Sequence, residues 1–261
     1  MAVDRLGGVV RAGSAVFAVA LTLLAFTFTP AVEFQPTAID SLNFSVPENT
    51  AQLIVVTTQS WNSTEGELQR YDRGGGQWKK VGSPIEVVLG KNGLAWGLGL
   101  HKVDLAPKKK EGDAKAPAGV FSLGTMFGYG TQSPSKLGFP YRQSTVRDYF
   151  VDDVKSPAYN TWVTIPAGKE NNPKAFWGSV EKMKRADQLY EYGIVINHNV
   201  TPVEKGKGSA IFFHVWRARG AGTLGCTAMS KDDLLTVMAW LHPAKHPLLI
   251  QAPRSSIAEL R

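Results

Sequence analysis

The chain has 261 residues, 29 Lys and Arg against 22 Asp and Glu for a formal charge of +7, and one cysteine. A basic balance whose densest run, Lys108 to Lys110, has no aromatic residues interleaved argues against a nucleic-acid surface. It fits an anionic polymer such as a cell wall, or a headgroup layer. A lone cysteine excludes a disulfide framework within the chain.

Arg5 and Arg11 precede an apolar stretch, Ala15 to Phe28, and then the small residues Thr29 and Ala31. That is the pattern of a secretory signal over residues 1–31, so export to the periplasm or cell wall is expected. The apolar stretch is short for a bilayer span and nothing later replaces it. Membrane association would therefore run only through an uncleaved N-terminal segment. No lipobox is possible with Cys226 alone. Cleavage lowers the charge to +6, because Arg5, Arg11 and Asp4 leave together, and the remainder suits one domain.

Residues 32–50, with prolines at 36 and 47, read as a linker, 51–254 as the folded domain and 255–261 as a C-terminal tail. "QLIVVTT" (52–58) has the β-branched run of a buried strand, and residues 66–82 alternate around a triple glycine as a hairpin does. "IEVVLG" (85–90) predicts another strand. From Lys108 to Gly130 the Pro and Gly density predicts a long loop with one short strand at Val120 to Leu123, and Lys108 to Lys110 read as solvated. Residues 151–165 predict a turn and a strand, 177–190 a helix spaced on Val180, Met183 and Leu189, and 192–197 a strand. "SAIFFHV" (209–215) predicts a strand with Phe212, His214 and Trp216 on one face. After a glycine-rich loop, Ser230 and Asp233 cap a helix striped by Leu234, Val237, Met238 and Leu241, and "PLLIQA" (247–252) is a final strand.

An exported chain that keeps one unpaired thiol invites a chemical reading. A thiol attacks as its thiolate and needs a base nearby. His214 and Cys226 face each other if the loop between them folds back, for which Gly220, Gly222 and Gly225 supply the backbone freedom. The amides around Gly225 and Cys226 are then candidates for an oxyanion hole. Chain order argues against papain-like peptidases, whose Cys precedes the His: here only His242 and His246 follow, beside prolines. Sortases need an Arg soon after the Cys, and none lies between Thr227 and Pro253. The scattered histidines give no metal-ligand spacing.

"GSAIFFHVWR" (208–217) followed by "GTLGCTAM" (222–229) resembles the His-strand and Cys-loop of the L,D-transpeptidases with a YkuD-type catalytic domain, in a branch with a T-x-G-C motif. The similarity extends through residues 109–128, 151–163 and 192–199 and covers Gln52 to Ala252. By this resemblance Cys226 is the acylated nucleophile, His214 the general base, Gly225 the motif glycine and Thr223 its Ser/Thr position. The commoner motif has His where Leu224 stands and Arg or Asn where Ala228 stands, and its His-to-Cys spacing is longer than the 12 residues here.

The resemblance implies a mainly β fold, a curved sheet or sandwich with a few peripheral α-helices, acting on peptidoglycan stem peptides without metal or cofactor. Cys226 would attack the carbonyl of stem residue three and expel D-alanine. An amine would then take the acyl group, giving a 3→3 cross-link or D-amino acid exchange. Hydrolysis of the same acyl-enzyme, as an L,D-carboxypeptidase or endopeptidase, and a non-catalytic wall-binding domain are the alternatives. Arg217 is expected to bind a stem carboxylate, and Trp216, Thr223 and Asn199 complete the substrate-binding candidates. Asn199 and His198 could orient His214, although a backbone carbonyl would serve equally. Asp152 and Asp153 would organise a loop or meet a substrate amine.

Overall fold

In the computed structural model the described residues are 41–102, 104–170 and 172–261, with 1, 8 and 39. The expected signal segment, residues 1 and 8 apart, and most of the linker's first half lie outside them. Every element belongs to the unit Pro36–Arg261.

The β-branched run is β1 (Gln52–Thr58), buried along its whole length. Leu53 and Val55 point to one face, Ile54 and Val56 to the other, and all four join the main core. This is the pattern of a strand covered on both sides. The triple glycine closes the expected hairpin of β2 (Glu65–Gly74) and β3 (Gln77–Val88). The strand expected separately at 85–90 is instead the continuation of β3, carried past a register shift at Leu68/Arg70.

Next come β4 (Leu94–Trp96), β5 (Ala116–Gly128), β6 (Tyr141–Gln143), β7 (Asp148–Val151), β8 (Thr161–Thr164) and β9 (Glu181–Lys182). The series ends with β10 (Tyr192–Ile196), β11 (Phe212–Val215), β12 (Thr227–Met229), α1 (Lys231–Trp240) and β13 (Leu248–Pro253). The large sheet runs β10-β11-β12-β3-β2-β1-β13-β5-β4, with β6 beside β5. Because β10 also pairs with β5, the strands from β10 round to β5 close into a barrel-like ring. A second sheet, β8-β7-β9, lies apart from that path. Leu234, Val237 and Met238 of α1 seal the main core, each burial worth about 1.5–3 kcal/mol. A separate cluster of Phe127, Phe150, Met183, Tyr190, Ala210, Phe212 and Cys226 joins the ring to the small sheet, and the thiol sits in it.

The fold is mainly β as expected, and α1 is the one α-helix among the described residues, beside three short 3-10 turns. Three local expectations are corrected. The short strand at 120–123 is a 13-residue strand, because β4, β13, β10 and β6 supply partners that local Pro and Gly content does not reveal. Residues 177–190 form no helix: β9 and turns occupy them, with Met183 fully buried under the small sheet. Lys109 is not solvated but 4% exposed, its Nζ donating to the Lys110 carbonyl (2.7 Å) and to Asp113. After residue 254 a 3-10 turn carries Ile257 and Leu260 into the core. Within the described part of the linker, Leu42, Phe44 and Val46 pack against that core.

Candidate active site

The loop before β12 is stitched to the end of β3. Thr223 donates its N–H to the Leu89 carbonyl and accepts from the Lys91 N–H, both at 2.8 Å. Gly222 makes this possible, since a Cβ there would stand 2.7 Å from Lys91 Cα. The Thr223 hydroxyl then closes the turn, donating to the Cys226 carbonyl at 2.7 Å and accepting the Gly225 N–H at 3.1 Å. Gly225 has φ 148°, where an L side chain is strained. The Gly225 amide, a candidate oxyanion donor, is therefore already committed to Thr223.

β11 and β12 lie parallel with His214 opposite Ala228, so Cys226, one residue before β12, falls level with Phe212 and two positions from His214 along the pair. Both line one cavity of about 280 Å³, together with Arg217, Thr223, Leu224 and Gly225. The His214 Nδ1 lies 2.8 Å from the Val215 carbonyl. A carbonyl only accepts, so Nδ1 carries the proton and Nε2 keeps its lone pair. The orienting group is thus the next residue's backbone, while His198 and Asn199 are engaged elsewhere. His198 accepts from the Leu98 N–H (3.2 Å) and reaches the Lys207 carbonyl (3.0 Å). Asn199 binds the Glu204 and Gly208 carbonyls and the Glu204 N–H, fastening its own loop away from the cavity.

Burial sets the charge state of the pair. It pushes His214 down to about 4, the Val215 carbonyl opposing, and pushes the Cys226 thiol up to about 12 against the Phe212 amide. At neutral pH both are uncharged, and Sγ contacts the Ala210 carbonyl at 3.5 Å. Ala228 is fully buried, paired with Val88 on one side and His214 on the other, whereas Leu224 is 72% exposed at the cavity mouth. Trp216 is half-buried and outside the lining; its N–H donates to the Met229 carbonyl. Arg217 is largely exposed, 3.7 Å from Asp187.

The two adjacent aspartates part company. Asp153 ties its loop through the Lys155 and Gly178 amides, while Asp152 lines the cavity near Ser179 with a buried Oδ1 that has no hydrogen-bond partner among the described residues. Glu111 and Glu181 line it as well. Burial pushes the Asp152 and Glu181 carboxyls above their usual range, Glu111 adding at Asp152, whereas Arg185 pulls Glu181 back. Glu111, Glu181, Arg185 and Tyr190 were not singled out from the sequence, and Leu189 was read only as part of a helix stripe. The available signal was the Arg185/Asp187 pair: residues two apart face away from each other on a helix, so their ion pair belongs to a turn.

The family model for the L,D-transpeptidase catalytic domain, YkuD, matches residues 59–250. No curated protein matches the chain significantly. Among solved structures, Bd1075 of Bdellovibrio bacteriovorus is similar at 14% identity, covering 77% of this chain and 47% of that one with a TM-score of 0.37. The helical cell shape determining protein Pgp2 of Campylobacter jejuni is similar at 15% identity, covering 81% and 53%, with a TM-score of 0.34. The chain spans about half the length of these structures.

Proposed function

The chain belongs to the L,D-transpeptidase catalytic-domain (YkuD) family of peptidoglycan metabolism, and from that premise we propose that it is an exported cysteine L,D-transpeptidase acting on stem peptides. The observation that carries this reading is the shared cavity of Cys226 and a His214 whose free lone pair is at Nε2.

In the proposed reaction, Nε2 takes the thiol proton as Sγ attacks the carbonyl carbon of stem residue three. The resting pair is neutral, so the proton moves with the attack rather than before it. The oxyanion falls to the Cys226 amide, since the Gly225 amide is engaged. Collapse breaks the amide bond, D-alanine leaves with the proton from the imidazolium, and a thioester remains. An acceptor amine then attacks the thioester, gives its proton to His214 and releases the thiol.

Asp152, Glu111 and Glu181 around the cavity favour an amine acceptor over water: they draw it in as an ammonium, which relieves their mutual repulsion, and one carboxylate takes the extra proton before the neutral amine attacks. Arg217 is suited to a stem carboxylate, held loosely enough by Asp187 to turn. Intact-protein mass spectrometry with a tetrapeptide-stem muropeptide tests the reading. Wild type is expected to gain an acyl adduct and release D-alanine, and Cys226→Ala and His214→Ala to do neither. A folded wild type that forms no adduct would turn the reading towards a wall-binding domain.

A further inference from the structure

Between β9 and β10 the chain passes through Arg185, Asp187 and Tyr190. The Arg185 guanidinium grips Asp187 at two points, Nε to Oδ1 at 2.9 Å and Nη2 to Oδ2 at 2.7 Å, and donates Nη1 to Glu181 Oε2 at 3.2 Å. Its backbone is fixed too: the N–H donates to Tyr129 Oη at 2.9 Å, and the carbonyl accepts from that hydroxyl at 3.1 Å. Held this way, the guanidinium carbon lies 5.1 Å from the centroid of the Tyr190 ring. A cation over an aromatic face is attracted by the ring quadrupole. That ring in turn meets the His214 imidazole edge to face, with centroids 5.2 Å apart and planes at 71°, and is backed by Phe127 and Phe212.

The imidazole meets the Val215 carbonyl at Nδ1, with the Leu189 backbone acting on it as well, and these backbone contacts set the tautomer while the face of the ring is held by packing alone. A base that must meet a thiol proton needs its plane fixed as well. We propose that Arg185 and Tyr190 are positioning residues for His214: Arg185, anchored by Asp187 and Glu181, locks the Tyr190 ring, and the ring fixes the plane of the imidazole. The inference rests on His214 being the general base.

Around the imidazole stand Arg185, Asp187 and Tyr190 from this connection, Glu181 from β9, Arg217 beyond β11 and Cys226 before β12. The guanidinium disfavours an imidazolium and Asp187 favours it, so losing Arg185 raises the His214 midpoint.

The test follows the full chain and its Arg185→Gln, Arg185→Lys, Tyr190→Phe and Tyr190→Leu variants. The first readout is the imidazole proton–carbon NMR titration, with His214 assigned by His214→Gln; the second is acylation by a tetrapeptide-stem muropeptide. Arg185→Gln is expected to shift the His214 midpoint upward and to lower the acylation rate constant roughly tenfold with little change in KM. Arg185→Lys restores the midpoint but only part of the rate, because an ammonium cannot make the two-point grip. Tyr190→Phe keeps the ring and behaves as wild type, whereas Tyr190→Leu loses rate.

Folded variants whose His214 titrates and acylates as in wild type would overturn the inference. So would a rate loss in Tyr190→Leu and Arg185→Gln that tracks only a fall in melting temperature, with the Arg185→Gln titration unmoved. If wild type forms no adduct, the transpeptidase reading fails on its own, and an unmoved His214 midpoint in Arg185→Gln would still refute the coupling.

Discussion

Cys226 at rest is a buried, protonated thiol, pushed up to about 12 and leaning on the Ala210 carbonyl. Iodoacetamide at pH 8 is expected to alkylate it at least about a hundredfold more slowly than free cysteine, as followed by mass spectrometry. Such protection would let an unpaired thiol persist in an oxidising compartment. Thr223 shapes the turn that presents the thiol. Thr223→Val, which loses both hydroxyl bonds, is expected to lower acylation roughly tenfold while Thr223→Ser retains it. Cys226 and His214 were legible because a unique thiol, a strand histidine and a glycine-rich return carry chemistry in their spacing. Asn199 fastens a left-handed turn at φ 56°, a task that a sequence does not separate from ligand binding. Lys109 misled because burial with an ion-pair partner cannot be read from a run of three lysines.

At the scale of elements, β1, the hairpin, β10, β11, α1 and β13 follow from local pattern: the hairpin and α1 show their own periods, and the others are short apolar runs bounded by turn residues. β5 does not, because Pro117 and Gly119 look like breakers. Yet the Pro117 carbonyl accepts from Gln251 at 2.8 Å, and Gly119 admits the His101 ring, whose Cε1 would lie 2.0 Å from a Cβ there. Segment 177–190 had helical spacing, but its apolar residues answer to the small sheet and the thiol cluster rather than to one helix face.

Two substitutions separate element stability from chemistry. Ser230 caps α1 by accepting the Asp233 N–H at 3.1 Å, and Ser230→Ala is expected to cost about 1 kcal/mol in denaturant unfolding with acylation unchanged. Asp148 accepts from the Thr145 hydroxyl and N–H, Thr164 and Trp162 Nε1, which hold it down to about 2 despite burial, and its ion pair with Arg142 ties β6 to the small sheet. Asp148→Asn is expected to cost about 2 kcal/mol by the same measurement.

For the whole molecule, pH dependence follows from groups held neutral by burial. His198 and His214 lie near 4 in the fold against 6.5 unfolded. The unfolded chain therefore binds more protons between those values, and stability is complete above 6.5 and falls as pH drops towards 4. Cys226 works on the other side: unfolded it ionises from about 9, folded it stays protonated to about 12, so stability falls as pH rises through that interval. Melting temperature against pH is expected to show a plateau from 6.5 to 9, and Cys226→Ala to flatten the alkaline decline.

One pairing has a consequence in time. β13 inserts between β1 and β5, so Leu249 opposes both Ile54 and Phe121. The ring cannot lock until residues 248–253 are present, because two of its early strands share only that late neighbour. A nascent chain halted before Leu248 would lack its clasp, and its last strand to be made is the one that shuts the barrel.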